Sequence, residues 1–183
     1  MRLQFTKTTS EWTCETQFFV ARIVPPTPVS HWQFFLNGEF LSTAETLEEI
    51  RDFAEVSVLH CLSHQIEEMS SFLAKGSGNL APMFVFCSFP RPAWCAHYRH
   101  WSLRAEMENG LYRPYCAACI LPLEKNIMLA FLSAEKELHG RVQTEINALL
   151  GEITRRKEHH ERHTNILQGG GHSKTEETPL LDI

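Results

Sequence analysis

The cysteines and histidines in the middle of the chain constrain it more than any other feature. Cys87, Cys95, His97, His100, Cys116 and Cys119 follow one another closely, the last two as a C-x2-C pair. Cys61 and His64 stand just upstream as C-x2-H. Thiolates and imidazoles are the donors zinc prefers, and x2 spacing lets one turn supply two of them. The spacing predicts a structural zinc centred on Cys116 and Cys119. Its completing ligands are drawn from Cys95, Cys87, Cys61, His64 and His97, with His100 competing with His97. This many donors suits either one four-ligand site or two sites. Closed sites of this kind order a fold and do not catalyse. Cys14 stands apart in a strand-like stretch and reads as a small core residue.

The six cysteines matter differently in different compartments. Met1 to Trp12 contains no apolar run of the kind a secretory leader needs, so the thiols are expected in a reducing compartment, binding metal or packing. No apolar run approaches the roughly 18 residues of a membrane span. A net charge of −5 argues against coating nucleic acid by charge alone. With 183 residues, 43% of them hydrophobic, the chain can bury one sizeable core. One domain is expected over residues 1–165. The glycine-containing polar stretch 166–183 is expected to be a disordered tail. No internal repeat is evident.

Hydrophobic patterning supplies the elements. Glu15 to Val24 is rich in aromatic and β-branched residues, and Pro25, Pro26 and Pro28 end it. Trp32 to Leu41 encloses Asn37-Gly38, a strong hairpin signal because both residues tolerate positive φ. Ser42 and Glu45 fit a capping box, followed by Leu47, Ile50, Phe53 and Ala54 at helical spacing. The helical pattern resumes through Leu62, Ile66, Met69 and Leu73, with a break expected near Ser57. Pro82 to Phe89 reads as a buried strand, and Trp94 to Arg104 fits neither period clearly. Asn109-Gly110 marks another turn, and Ile127 to Leu132 suits a strand or a helix start. From Ser133 to about Thr164 an apolar stripe of Leu138, Val142, Ile146, Leu149, Leu150 and Ile153 predicts a long helix.

The expected fold class is therefore α+β. A small sheet, formed by N-terminal strands and 82–89, is covered by helices at 43–74 and 133–163, the second being a long C-terminal helix. Zinc would pin an irregular Cys/His-rich centre over 87–119.

Enzyme signatures fail on spacing. A zinc deaminase needs H-x-E upstream of P-C-x-x-C, but Tyr115 separates Pro114 from Cys116 and no H-x-E precedes it. His160-Glu161-Arg162-His163 is one residue short of H-E-x-x-H. Neither a phosphate-binding glycine loop nor a G-x-S-x-G elbow is present. The chain is expected not to be an enzyme.

The segment from about Ser42 to Lys136 resembles the adenoviral early-region-four thirty-four-kilodalton protein family. The likeness begins at Leu47, Ile50 and Arg51 and continues through His60-Cys61 and Ile66-x-x-Met69-x-Ser71 to a glycine loop. Its sharpest piece is Cys87-Ser88-Phe89-Pro90-(x4)-Cys95. Asn109-Gly110, Pro122, Lys125 and the run Ile127–Leu132 follow in the family's order. The resemblance implies an early regulatory adaptor with a zinc-dependent fold, acting in the host nucleus and cytoplasm. It would join a viral early-region-one-B-type protein to host cullin and elongin subunits of a ubiquitin ligase, so that host proteins are degraded. It also implies an influence on viral late mRNA export. The elongin-binding box is incomplete: Thr46-Leu47-Glu48-Glu49-Ile50 is followed by Arg51 where the box has Cys. The chain also lacks the Cys-rich C-terminal portion of the family's longer members.

The alternative is a zinc-containing nucleic-acid-binding protein acting in viral RNA processing or export. Trp94-Cys95-(x2)-Tyr98-x-His100 is similar to a short segment of the small nonstructural nuclear protein of bocaparvoviruses. Arg91, Arg99, Arg104 and Arg113 with Trp94, Tyr98, Trp101 and Tyr112 would form its basic and aromatic surface. Otherwise those aromatics pack beside the metal site and the arginines are solvated.

Overall fold

The structure, a computed structural model, describes residues 3–88 and 91–169, those from 158 on as backbone only. It is α+β, with two antiparallel sheets and two long helices rather than the single sheet expected. The chain divides into two compact units. The first takes the residues up to Leu62 and those from Leu150 on, and the second takes Ser63–Leu149. Both sheets are five-stranded meanders in which each strand pairs with its sequence neighbour, and each meander is followed by a helix. The sequence carries no visible repeat, yet the topology is duplicated. No helix among the described residues is long and apolar enough to cross a membrane.

In the first unit the strands are β1 (Thr6–Lys7), β2 (Trp12–Glu15), β3 (Val20–Val24), β4 (Trp32–Leu36) and β5 (Glu39–Ala44). Ala21, Ile23, Phe34 and Leu36 are buried at alternate positions, as the strand period of two requires. Asn37 (φ 52°) and Gly38 (φ 87°) make the two-residue turn from β4 to β5. The Asn37 side chain also accepts the Val20 N–H at 2.9 Å, tying the turn to β3. Helix α1 (Leu47–Ala74) buries Ile50, Ala54, Val58 and Leu62. Full burial of a side chain of this size contributes about 1.5–3 kcal/mol. Phe53 of α1 meets Phe34 of β4 edge to face at 6.0 Å, and the Arg51 guanidinium lies 4.5 Å from the Trp12 ring centre.

The capping box of α1 lies four residues beyond Ser42. Thr46 Oγ1 accepts the Glu49 N–H at 3.2 Å, and Glu49 Oε2 accepts the Thr46 N–H at 3.1 Å. Ser42 is unavailable because β5 continues pairing to Ala44, opposite Trp32. The helix then runs unbroken through Ser57, where two helices were expected.

In the second unit the strands are β6 (Val85–Cys87), β7 (Ala93–Tyr98), β8 (Trp101–Glu108), β9 (Leu111–Cys116) and β10 (Cys119–Ile120). The centre is thus a regular sheet, not the irregular stretch expected. Trp94–Arg104, which fitted neither period, is the β7–β8 hairpin with Arg99 at φ 52° in its turn. Trp101, Leu103 and Ala105 are buried at alternate positions along β8. Asn109 (φ 53°) and Gly110 (φ 79°) turn β8 into β9. The expected buried strand over 82–89 is a helical turn at Ala81–Met83 followed by β6, an edge strand whose Val85 and Phe86 are exposed. Phe89 and Pro90 lie outside the described residues.

Helix α2 (Ile127–Gly169) starts earlier than expected, with Asn126 Oδ1 accepting the Leu129 N–H at 2.9 Å. Ile127–Leu132 forms its first turns. Ala130, Phe131, Ala134, Leu138, Val142, Ile146 and Leu149 make its buried stripe. Phe131 stacks on Phe84 at 4.0 Å beside Ala105, Trp94 and Tyr112, so an apolar core supports the second sheet. Of the expected tail, 166–169 are helical and the remainder lies outside the described residues.

Candidate functional site

Pairing register decides which cysteines of the second sheet can meet. Leu103 of β8 is paired with Ala96 of β7 and with Cys116 of β9, and Cys116 with Cys119 of β10. These four residues share the face to which the buried Trp101 and Ala105 also belong. Arg104, one residue on, is paired with Cys95 and Tyr115. Cys95 and Tyr115 therefore lie on the opposite face, with His97 and Glu106 at two-residue offsets. Cys87 pairs with Ala93, which places it there too. The two thiol pairs sit on opposite faces of one sheet and cannot share a metal ion.

On the inner face, Cys116 and Cys119 flank the two-residue loop Ala117–Ala118. Ala117 sits at φ 51°, a left-handed conformation that costs an alanine about 1–2 kcal/mol. Its N–H donates to the Ser102 carbonyl at 2.7 Å, which helps to hold the loop. Cys116 is fully buried and Cys119 half-buried. Arg141 of α2 donates to Glu137 Oε1 at 3.1 Å. Burial pushes the Cys116 thiol above its ordinary range, and the Arg141 charge only partly offsets this.

On the outer face, Cys87 and Cys95 are diagonal neighbours across the β6–β7 pair, and the Cys87 thiol donates to the Val85 carbonyl at 3.7 Å. They line a cavity of about 300 Å³ with Arg91, Ala93, Arg104, Glu106 and Tyr115. Arg104 Nε meets Glu106 Oε1 at 3.1 Å, and its guanidinium lies 4.6 Å from the centre of the Tyr115 ring. Burial raises the Cys95 thiol, and the Cys87 contact adds to the shift. Neither arginine was a ligand candidate, and the alternation of β8 was the signal that could have placed Arg104 beside Cys95.

The other candidates lie elsewhere. His97 is exposed on the outer face of β7. His100, in the β7–β8 turn, stands 3.4 Å from Glu145 Oε2. Cys61 accepts a long 3.9 Å contact from Asn37 Nδ2, and His64, one helical turn later on α1, faces Glu68 at 3.8 Å. Cys14 is buried in β2, as expected of a core residue. Among the described residues no three Cys, His, Asp or Glu side chains converge as metal ligands. Of the expected ligands Cys116, Cys119, Cys95, Cys87, Cys61, His64 and His97, the sheet brings Cys116 near Cys119 and Cys87 near Cys95, on opposite faces.

The basic and aromatic residues also separate. Trp94 and Tyr112 pack on the Ala105–Phe131 core, and Tyr98 stacks on Phe72 at 4.0 Å. Arg99 pairs with Glu68, Arg104 with Glu106 and Arg113 with Glu108. Comparison with protein-family models, with curated proteins and with solved structures found no match to the chain.

Proposed function

We propose that this chain is a non-enzymatic adaptor that works by protein–protein contact, with the β6 edge of the second sheet as its docking surface. The observation that carries this reading is the character of that edge. Val85 is 64% exposed, Phe86 54% and the preceding Met83 52%. Among the described residues β6 pairs only with β7, and it contains no charged residue. Natural edge strands are usually blunted by charge or proline, because an open row of backbone groups invites another strand. An apolar edge without that protection suits strand addition, where main-chain hydrogen bonds give affinity and flanking side chains give selectivity.

The resemblance to the adenoviral family supplies the finer proposal. The partner is an early-region-one-B-type protein, and the assembly recruits host cullin and elongin subunits. The incomplete elongin box is spent on folding: Thr46 and Glu49 cap α1, Ile50 is buried, and Arg51 packs on Trp12. The adaptor reading therefore rests on the β6 edge rather than on the box. The nucleic-acid alternative has less support, since Arg99, Arg104 and Arg113 are ion-paired and its aromatics packed.

Co-expression with the large early-region-one-B protein tests the proposal. A complex should co-purify with cullin and elongin subunits, and Val85→Lys with Phe86→Lys should abolish it while leaving thermal unfolding unchanged. Absence of any complex, or its survival in the double variant, counts against the edge.

A further inference from the structure

We propose that Cys87 and Cys95 form a reversible thiol–disulfide pair, oxidised by a small carboxylate-bearing disulfide that enters the cavity beside them. Three observations converge. The two thiols lie on one face of the sheet and line the same cavity. The cavity of about 300 Å³ has the scale of a small-molecule site. Its lining carries two guanidinium groups, Arg91 and Arg104, against one carboxylate, Glu106. That balance favours an anionic visitor over a metal cation.

Position assigns the order of events: Cys87 stands on the edge strand β6, which among the described residues has a neighbour on one side only, whereas burial raises the Cys95 thiol. Cys87 attacks one sulfur of the small disulfide, whose S–S bond breaks and whose other half leaves as a thiolate. Cys95 transfers its proton to that leaving thiolate and attacks the Cys87 sulfur, displacing the second half. The proton from Cys87 completes the second released thiol. In sum, two protein thiols and one disulfide become one protein disulfide and two small thiols. Two electrons pass to the small molecule.

The geometry also sets the character of the bond. Cys87 opposes Ala93, two residues from Cys95, so the thiols are diagonal neighbours. Diagonal Cα atoms stand about 7–8 Å apart in an ideal ladder, against about 4.4–6.8 Å in a disulfide. β6 must therefore draw in by about 1 Å. A three-residue edge strand with one neighbour can do so, but the strain keeps the bond easily reduced. Such a bond suits regulation rather than permanent stapling.

The test is incubation of the full chain with oxidised glutathione, followed by non-reducing peptide mapping. Wild type should give a Cys87–Cys95 bridge that reduced glutathione reopens, and Cys95→Ser should stop at glutathione on Cys87. Arg104→Gln should abolish the preference of wild type for oxidised glutathione over uncharged hydroxyethyl disulfide. The proposal is overturned if wild type stops at the mixed disulfide, if both thiols stay alkylatable, or if Cys119 and Cys61 are modified as fast as Cys87. An unchanged oxidant preference in Arg104→Gln overturns the carboxylate recognition. None of these readouts depends on the adaptor reading.

Discussion

Glu135 Oε2 accepts the backbone N–H of Gly78 at 2.7 Å. The other carboxylate oxygen accepts the N–H groups of Asn79 and Leu80 at 3.1 and 3.3 Å. Glu135 is fully buried in α2, so one side chain anchors the loop that leaves α1. Hydrogen bonds to a charged group are worth about 1.5–3 kcal/mol, and orphaned buried donors add their own penalty. Glu135→Ala is expected to destabilise the chain by about 3 kcal/mol or more in urea unfolding. Glu135→Gln, which keeps one acceptor oxygen, should cost less. Equal losses in the two variants would show that packing rather than amide binding matters at this position.

The position of the α1 cap separates two otherwise similar sequence signals. Thr46→Ala removes the side chain that accepts the Glu49 N–H and should cost about 1 kcal/mol. Ser42→Ala, in β5, should stay within about 0.5 kcal/mol of wild type. Thermal unfolding of the two variants side by side checks the order.

Burial holds the Cys14, Cys95 and Cys116 thiols above their ordinary value of 9.0. The unfolded chain therefore releases these protons first as pH rises. Above about pH 9 the folded state binds more protons than the unfolded state, and stability falls with increasing pH. This contribution is fully retained below that value. Cys116→Ala removes one such group and should flatten the decline between pH 9 and 11 in denaturant titrations, approximate bounds set by the ordinary thiol range.

The second sheet is held by its strand ladder and the Phe84–Phe131 core, while its two thiol pairs face opposite ways. Chelation should therefore leave the thermal midpoint of the purified chain unchanged. A metal analysis of about one zinc per chain, lost together with folding on chelation, would contradict this arrangement.

Some of this was legible in the amino-acid order. Asn37-Gly38 and Asn109-Gly110 announced their turns because few other dipeptides hold positive φ at both positions. The stripe from Leu138 to Leu149 announced α2. The second sheet was hidden because its inner face relies on small or unusual strand residues. Ala96, Ala105, Pro114 and Cys116 are buried, yet none is a strong strand former. Trp101, Leu103, Ala105 and Met107 do alternate with polar neighbours, and that period of two outweighs the metal-like spacing around it. Spacing counts donors along the chain, whereas a sheet sorts them by parity. Cys95 and Cys116 belong to opposite faces because Arg104 and Leu103 are adjacent residues.

The division of the chain has a consequence for its biosynthesis. The middle unit is one continuous stretch, Ser63–Leu149, and can close as soon as that stretch has left the ribosome. The other unit joins the residues up to Leu62 with those from Leu150 on, so its N-terminal meander must wait for the final helical turns to be translated. A chain stopped near Leu149 is therefore expected to complete the middle unit and leave the first sheet without the residues that close its unit.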